Sequence, residues 1–444
     1  MAYVGLHNHD ERSNFRGRDA LIKTEELIEY CMELGYKGVA ITNHETISSC
    51  LKANKYWTKL RKEGNTEFKI ISGNEIYLCK DVNEGERPSV FPHFILLAKN
   101  RRGYEQLCEL STKSWVNNSF MSTMMRVPTY YSDLYEVIGD DKGNLIASSG
   151  CIGGTLGRML LLYKDTGEEK YWKSCIAWIN RMNNLFGKEN FFLEMQPSND
   201  ENQVYINDKI TLLSSITGNN FVVTTDVHYL KAEDKRAHEI FLKAQNIERE
   251  VDSFYATTYV MSEEEIHSYM DKHLGYDVVQ KAIDNTMLVY DMCEYYDLTK
   301  PLHIPYLPLN TQEPKKTSEF YEKVPLLKEL SESEYDSDRH LVREIVKDMA
   351  KDKYLQTEEA YKNIGICLQT LIDSSNKMKV RWSAYLLQIA DYVDIAWNKA
   401  CAIVGAGRGS GVGFILNYML NIIQVNPLRE TTRTFYWRST SKAS

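Results

Sequence analysis

Short apolar runs recur through roughly the first 290 residues, and segments whose apolar positions have helical spacing separate them. Seven runs are predicted as strands: Val4–Leu6, Gly38–Thr42, Phe68–Ser72, Phe94–Ala98, Asn144–Ser149, Phe191–Met195 and Phe221–Thr225. Strands that alternate with helices form βαβ units and a parallel sheet. Because about seven such units suffice to close a barrel, the pattern predicts a distorted β/α barrel.

The helical segments between these runs carry recognisable start signals. Thr24 is the predicted N-cap of the first helix, and Glu25 and Glu26 follow in its first turn, where acidic side chains favour the helix dipole. Further helices are predicted at about residues 47–63, 102–115 and 204–217.

The pattern changes after the predicted barrel. Four prolines follow one another closely, and because proline fixes φ and removes a donor, they predict an extended linker: Pro301, Pro305, Pro308 and Pro314. We therefore expect a barrel domain at residues 1–295, a linker at 296–320 and a second domain at 321–444. The first part of that second domain is predicted to be mainly helical, with charges of both signs.

Side chains of the types that bind metals stand at or near the ends of the apolar runs. His7 and His9 are alternate residues, which places both imidazoles on one face of a strand, and Asp226 and His228 repeat this spacing. The carboxyl ends of barrel strands form one face, so side chains there meet. His93 is an exception, because it precedes its strand. The predicted ligands are His7, His9, Asp19, His44, Glu75, His93, Cys151, Asp226 and His228.

The chemistry of this ligand set restricts the metal and the reaction. Imidazoles, carboxylates and one thiolate suit Zn²⁺, Mn²⁺ or Fe²⁺ and disfavour Ca²⁺. Such a set exceeds the needs of a single tetrahedral ion, so two or three ions are predicted. Neighbouring ions that hold a hydroxide favour attack on phosphorus. The residues therefore predict a multinuclear metallo-phosphoesterase, with Glu75, Asp226 and His228 as its catalytic residues.

Composition and charge restrict the class of protein and the compartment in which it is expected. The net charge of −8 argues against a generally basic nucleic-acid coat. Nine cysteines without a C-x-x-C pair fit reduced thiols, and the N-terminus leaves no room for a targeting segment before His7. The longest apolar run, Gly411–Val425, contains Asn417 and Asn421 and predicts a buried helix instead of a membrane span. We expect a cytoplasmic protein without a membrane partner.

The motifs around the candidate ligands resemble those of one family. L-H-N-H, A-I-T-N-H, G-N-E-I-Y, H-F-I-L-L-A-K-N, S-G-C-I-G-G and D-V-H-Y-L are similar, in order, to the motifs of the PHP (polymerase and histidinol phosphatase) domain. The version found in bacterial and phage C-family DNA polymerases, the DNA polymerase III alpha subunit, is the most similar. The resemblance covers roughly residues 1–290.

This resemblance implies a PHP-type distorted (β/α)7 barrel with up to three metal ions, in which Glu75 is a bridging ligand. It implies 3′–5′ exonuclease activity in some members, whereas in others the site serves structure. Two features differ from the family pattern: Asn43 stands where an aspartate is usual, and the segment between His9 and Asp19 is about two residues longer.

A glycine-rich loop, V-G-A-G-R-G-S-G-V-G, precedes the apolar run near the C-terminus. Such a loop at a helix N-terminus presents backbone N–H groups to an anion, and Arg408 adds a positive charge. With W-S-A-Y-L-L-Q-I-A-D-Y-V before it and N-P-L-R after it, the loop resembles the start of the C-family palm. The resemblance implies a dNTP site at Gly407, Arg408, Gly409 and Ser410. An excess of basic residues in 405–444 fits a surface that faces DNA phosphates.

The carboxylates of a polymerase palm do not follow this loop. After Asp394 the only acidic residue is Glu430, whereas a palm needs carboxylates to hold two Mg²⁺ ions. The isolated chain is therefore not expected to polymerise DNA, and its palm is expected to be incomplete.

Three hypotheses follow. The chain is the N-terminal portion of a replicative DNA polymerase, from a split gene with a second polypeptide or from a truncated reading frame, in a bacterial or phage-infected cell. Alternatively, it is a free-standing PHP phosphoesterase, or a metal-stabilised replisome scaffold without catalysis. The residues after the barrel favour the first hypothesis, while Asn43 favours the scaffold over an active nuclease.

Overall fold

Each of the seven predicted strands is present, and all of them belong to one sheet. The structure is a computed structural model and describes residues 2–122, 124–244, 253–301, 303–304 and 318–429. Within these residues the strands are β1 (Val4–Gly5), β2 (Gly38–Ile41), β3 (Lys69–Cys79), β4 (His93–Ala98), β5 (Phe120–Met121), β6 (Met125–Arg126), β7 (Pro128–Tyr130), β8 (Leu145–Ser148), β9 (Phe191–Met195) and β10 (Phe221–Val223). The sequence pattern did not predict the β5–β6 hairpin or β7.

The sheet follows the order β1–β2–β3–β4–β8–β9–β10, with β7 paired to β3. Its two ends approach each other just beyond β1 and β10, where Asn8 and Val227 form a parallel bridge and the N–H of His9 donates to Val227 O at 2.9 Å. The expectation of a fully parallel sheet was wrong at β4, which is antiparallel to both β3 and β8. Residues 80–92 contain no helix, so β4 returns beside β3 without a crossover.

Helices follow most of the strands in the first part of the chain. The predicted helices are present, but α1 begins at Thr24 with Lys23 as its N-cap, so the predicted cap was wrong by one residue. The hydroxyl of Thr24 instead donates to Asp10 at 2.8 Å. The helices are α1 (Thr24–Glu33), α2 (Cys50–Lys62), α3 (Arg101–Lys113), α4 (Tyr131–Ile138), α5 (Thr155–Thr166), α6 (Glu169–Phe186), α7 (Glu201–Thr217), α8 (Lys235–Lys243), α9 (Glu263–Leu274) and α10 (Tyr276–Met292).

Two buried layers cover the two faces of this sheet. The inner layer takes side chains from every strand of the main path and is closed by α10: Val4, Leu6, Ala40, Ile71, Ile95, Leu97, Ile146, Phe192, Val222, Val289 and Cys293. The outer layer takes alternate residues of the same strands, such as Val39, Ile70 and Leu96, and packs them against the surrounding helices. Burial on both faces explains why the strands read as continuous apolar runs.

The chain divides into two compact units, Met1–Thr299 and Lys300–Ser444. The second unit has its own apolar core, and its described part is helical: α11 (Phe320–Lys323), α12 (Pro325–Ser331), α13 (Asp336–Lys351), α14 (Glu358–Met378), α15 (Trp382–Asn398) and α16 (Ile415–Met419). Among the described helices, none is sufficiently long and apolar to span a bilayer. Pro305, Pro308 and Pro314 of the predicted linker lie outside the described residues.

The predicted buried helix at residues 411–425 was wrong in extent, because α16 spans only Ile415–Met419. A 3₁₀ turn, Gly409–Gly413, precedes it, and Asn421 follows in the left-handed conformation with φ of 57°. Asparagine tolerates this conformation, which ends the helix. The basic residues Arg433, Arg438 and Lys442 lie outside the described residues.

Candidate metal centre

Three of the candidate ligands, Glu75, Asp226 and His44, continue the inner apolar layer of the sheet by steps of two residues. On β3, two such steps lead from Ile71 to Glu75. Beyond the end of β10, two steps lead from Val222 to Asp226. Beyond β2, the same step leads to His44. Side chains two residues apart along a strand share a face, so these polar groups are stacked above the inner layer.

His93 joins the same group of side chains because β4 runs antiparallel to β3. The sequence placed His93 just before its predicted strand. In the structure it is the first residue of β4, and this end of β4 lies beside the carboxyl end of β3. His93 pairs with Tyr77 in the register, and its Nδ1 lies 2.7 Å from Oε1 of Glu75. Glu75 lies inside β3, because this strand continues to Cys79, beyond the predicted end at Ser72.

Glu75 is at the centre of the cluster and is fully buried. Its carboxylate lies 3.5 Å from Nε2 of His7 and 3.3 Å from Nε2 of His9. It also contacts Nδ1 of His44 and Nδ1 of His93. One carboxylate therefore faces four of the five candidate imidazoles.

Two aspartates complete the carboxylate set. Oδ1 of Asp226 lies 3.2 Å from Nε2 of both His7 and His9. Oδ2 of Asp19 lies 2.9 Å from Nε2 of His44 and 3.7 Å from Nε2 of His228. Asp19, which follows the segment that is longer than in the family pattern, thus reaches the cluster.

Cys151 lies at the edge of this cluster. Its Sγ is 3.4 Å from Nδ1 of His93, so all nine predicted ligands belong to one network of contacts. In the part of the chain that the structure describes, three groups of three have ligand atoms within 4.8 Å of one another: His9, His44 and His228; His7, His9 and Glu75; and His44, Glu75 and His93. These overlapping groups share side chains, as the ligands of neighbouring ions do.

The buried oxygens of this cluster fit divalent cations. Both carboxylate oxygens of Glu75 and Oδ1 of Asp226 are buried, and within the described residues none of them accepts a hydrogen bond. A buried carboxylate without hydrogen bonds is costly, and ligation of a metal offsets that cost. Imidazoles and carboxylates also match the ligand preferences of Zn²⁺ and Mn²⁺.

Electrostatics favour the ligating form of Glu75 and His9 but not of every candidate ligand. Burial alone would raise the pKa of Glu75, but the imidazoles of His44, His93 and His7 hold it well below its usual range. Burial and two neighbouring imidazoles lower the pKa of His9 to about 3. Glu75 is therefore anionic and His9 neutral at physiological pH, and both are competent ligands.

Burial would lower the pKa of His7, but the carboxylates of Asp226, Glu194 and Glu75 raise it well above its usual range. Burial also raises the pKa of the Cys151 thiol. Both side chains therefore lose a proton when a metal binds.

Polar side chains around the cluster orient three of the imidazoles. Nδ1 of His7 lies 2.7 Å from Oε1 of Glu194, and Nδ1 of His9 lies 3.1 Å from Oγ of Ser13. Nδ1 of His228 lies 2.7 Å from the backbone oxygen of Asp226. With these acceptors on Nδ1, the Nε2 lone pair of each ring is directed to the cluster.

Glu194 is a functional residue that the sequence analysis did not single out. It is buried in β9, where Thr224 Oγ1 donates to Oε1 at 2.7 Å and Ser148 Oγ donates to Oε2. The signal was one acidic residue inside the apolar run F-F-L-E-M. Such a residue is almost never fully buried unless it has partners.

Asn43, the departure from the family pattern, supports the cluster indirectly. Its amide Oδ1 accepts from the N–H of Asp10 and from Oγ of Ser13, while its Nδ2 donates to Asp10 and Ser49. All four hydrogen-bonding positions of the amide are therefore used. Because Asn43 holds the Ser13 hydroxyl that contacts His9, its presence is no argument against a working metal centre.

A cavity of about 450 Å³ opens beside the cluster. His93 and Cys151 line its metal-facing side, and Thr225 lies next to Asp226. Most other lining residues are polar but uncharged, including Gln196, Ser198, Asn202, Gln203, Thr257 and Thr258. The cluster therefore borders a space that can admit a small polar group.

The predicted nucleotide residues lie in the second unit. Gly407, Arg408, Gly409 and Ser410 are exposed, and Gly407 and Gly409 have φ of 151° and 60°. The helix that follows has only five residues, so its dipole adds little to anion binding. The dNTP site thus depends on the loop and on Arg408 and stays a prediction.

Two families match separate parts of the chain. Residues 5–198 match the PHP domain, and residues 339–442 match the bacterial DNA polymerase III alpha NTPase domain. The first match contains most of the candidate ligands, and the second contains the glycine-rich loop. These matches agree with the division of the chain into two units.

Curated relatives match nearly the whole chain. Over 99% of its length it is 34% identical to the probable DNA polymerase YorL of Bacillus subtilis (strain 168) and to the DNA-directed DNA polymerase of Bacillus phage SPbeta, covering 35% of each. Over 96% it is 27% identical to the DNA polymerase III subunit alpha of Aquifex aeolicus (strain VF5), covering 34% of that protein. The chain spans about a third of the length of these relatives.

A solved structure of a putative metal-dependent phosphoesterase from Bifidobacterium adolescentis is also similar, with 13% sequence identity. It matches 51% of this chain and 88% of its own, with a TM-score of 0.31.

Fold, ligand cluster and family match together define a PHP-domain protein. More particularly, over nearly its whole length the chain is similar to DNA polymerase III alpha subunits and to a phage DNA polymerase.

Proposed function

We propose that the first unit holds two or three divalent ions, Zn²⁺ or Mn²⁺, and hydrolyses phosphodiesters at the 3′ end of DNA. Glu75 is the observation that carries the proposal, because its two buried oxygens face four imidazoles and accept no hydrogen bond from the described residues. A PHP domain within a polymerase-like chain favours DNA as the substrate.

When bound, the ions would supply a hydroxide at neutral pH and stabilise negative charge on the phosphoryl oxygens. The side chains of the protein would hold those ions, with Glu75 between neighbouring sites and His228 at the Asp19 side of the cluster. Asp226 would hold an ion together with His7 and His9, because its buried Oδ1 lies 3.2 Å from Nε2 of both imidazoles.

We also assign the chain a role in DNA synthesis, since its curated relatives are named DNA polymerases. The loop Gly407–Ser410 would contact the triphosphate of a dNTP. The carboxylates that bind Mg²⁺ for synthesis would come from the part of the relatives' length that this chain does not span, in the same or in a second polypeptide. Such an assembly would act in the cytoplasm of a bacterial or phage-infected cell.

The nuclease is tested with the full chain, metal analysis and a 3′-labelled single-stranded DNA. Asp226→Asn and His9→Ala should each lower the rate of label release by more than the roughly 10- to 100-fold that loss of a partner behind a metal ligand costs, because each changes a ligand itself. His267→Ala is the matched control, because His267 lies on α9 and contacts Asp271 and Gln280 instead of the cluster.

Equal release of label by the wild type and all three variants would contradict the proposed nuclease activity. Bound metal in the wild type together with such a result would leave a structural role for the cluster. Release of label from the 5′ end alone would contradict the assigned polarity.

A further inference from the structure

A row of aromatic rings leads from the surface to the metal centre. The ring centroids of Phe120 and Phe91 are 6.3 Å apart, those of Phe91 and Tyr77 are 5.8 Å apart, and those of Tyr77 and His93 are 5.0 Å apart. The row begins in the β5–β6 hairpin and ends at a candidate ligand of the cluster.

Two arginines lie over these rings. The guanidinium of Arg126 is 4.5 Å from the centroid of Phe91, and that of Arg87 is 4.6 Å from the centroid of Phe120. Arg126 pairs directly with Phe120 across the hairpin, so the strand pairing itself sets this arrangement. Positive charge and ring faces thus occupy one surface.

A cleft of about 350 Å³ joins this surface to His93. Tyr77, Phe91 and Arg126 line it, together with Arg158 from α5. Nε of Arg158 donates to the backbone oxygen of Gly153 at 3.1 Å, which fixes the side chain beside the loop that carries Cys151. Arg87 and Phe120 do not line the cleft but lie beside it, where Phe120 neighbours Phe91. We call the surface made by Arg87, Arg126, Arg158, Phe91 and Phe120 the arginine–aromatic cleft.

The charge of this cleft distinguishes it from the cavity on the other side of His93. Among the described residues that line the 450 Å³ cavity there is neither Lys nor Arg, and Asp200 is acidic. Both spaces reach His93, but only the arginine–aromatic cleft offers cations. A polyanion is therefore attracted to one side of the metal centre.

We propose that the arginine–aromatic cleft binds single-stranded DNA and leads its 3′ end to the metal centre, an inference that rests on the proposed nuclease. Arginines along a groove would pair with the phosphates, and the phenyl rings would stack on the bases. Stacking of this kind needs unpaired bases, because in a duplex both faces of an inner base are covered by its neighbours. The cleft thus selects single strands or frayed ends.

Binding is measured apart from cleavage, by fluorescence anisotropy of a labelled single-stranded oligonucleotide of about 12 nucleotides. The measurements use the full chain in the presence of a chelator and with the substitution Asp226→Asn as background. Under these conditions the oligonucleotide is bound without being cleaved. Arg126→Gln and Phe91→Leu should each weaken binding about fivefold or more. Arg126→Gln should also lower the slope of log affinity against log salt by about 0.7, the value for one lost phosphate contact on a single strand.

Arg61→Gln is the matched control, because Arg61 also stacks on an aromatic ring, with its guanidinium 4.4 Å from Tyr295. It lies at the end of α2, which precedes the amino end of β3, so it is at the opposite end of the barrel from the cluster. Arg61→Gln should bind the oligonucleotide like the wild type.

Unchanged affinity in both cleft variants would contradict the proposal that the cleft binds single-stranded DNA. An equal loss of affinity in Arg61→Gln would contradict it as well. Tighter binding of blunt duplex than of the single strand would overturn it as well. If the variants lose binding while the wild type cleaves no DNA, the cleft stands as a binding surface and the nuclease proposal alone fails.

Discussion

Nδ1 of His93 lies 2.7 Å from Oε1 of Glu75, although the two residues enter the centre from strands that run in opposite directions. Antiparallel pairing of β3 with β4 brings the start of β4 beside the carboxyl end of β3. A parallel β4 would carry His93 to the far end of the sheet. The direction of one strand therefore decides whether the cluster has its fifth imidazole.

Removal of the metal should destabilise the protein. Without cations, only neighbouring imidazoles offset the burial of the Glu75 and Asp226 carboxylates among the described residues, whereas ions at 100 times their Kd add about 2.7 kcal/mol of stability. We expect exhaustive chelation to lower the Tm of the first transition in differential scanning calorimetry by about 5 °C or more. The control variant His267→Ala should show the same shift, and identical Tm values with and without bound metal would contradict the prediction.

Glu194→Gln should weaken metal binding without removing a ligand. The substitution replaces the carboxylate that lies 2.7 Å from Nδ1 of His7, so the orientation and basicity of that ring are lost. We expect metal affinity, measured by competition with a coloured chelator, to fall about 10- to 100-fold. Glu189→Gln, an exposed change five residues earlier, is the control. Wild-type affinity in Glu194→Gln would show that the contact does not matter.

Asn43→Asp should destabilise the protein, even though it restores the residue usual in the family. An aspartate there loses the amide that donates to Asp10 at 2.7 Å and places two carboxylates in contact. We expect a loss of about 1–3 kcal/mol in the free energy of unfolding, measured with urea. Adding Asp10→Asn should recover part of it. Strict additivity of the two changes would contradict a direct interaction.

Arg408→Ala should weaken nucleotide binding by the second unit. The charge of Arg408 is the main attraction that the exposed loop offers to a triphosphate, because the helix after it is short. We expect about a tenfold loss of affinity for a fluorescent dNTP with Mg²⁺. Lys399→Ala, which removes an exposed cation from the same unit, should have little effect. Equal affinities in both variants would remove the loop from the nucleotide site.

Local sequence patterns predicted the strands well because a buried strand needs only a short apolar run with side chains on both faces. The run Phe191–Met195 coincides with β9, and Phe94–Ala98 differs from β4 by a single residue. Spacing also brought His7 and His9 together, since alternate residues share a face. Helix ends were harder, because caps such as Lys23 depend on contacts outside the helix.

Residues that act through other residues were not predictable from the pattern. In the sequence, Glu194 is a single polar position in a predicted strand. Its role follows from its contact with His7, which lies 187 residues earlier in the chain. Arg126 carries no ligand signal, and only the folded hairpin places it next to Phe91 and Tyr77. Asn43 looked like a lost ligand, but its hydrogen bonds assign it to the support of Ser13.

By itself, the sequence determined which side chains are available for a metal centre and which runs form the sheet, because both depend on residue type and local spacing. Only the tertiary structure decided the direction of β4, and with it the approach of His93 to Glu75. The sequence of a strand does not show whether the strand pairs parallel or antiparallel, because its apolar pattern is the same for both directions. Direction comes from the connection and from the neighbouring strands, and these exist only in the folded chain.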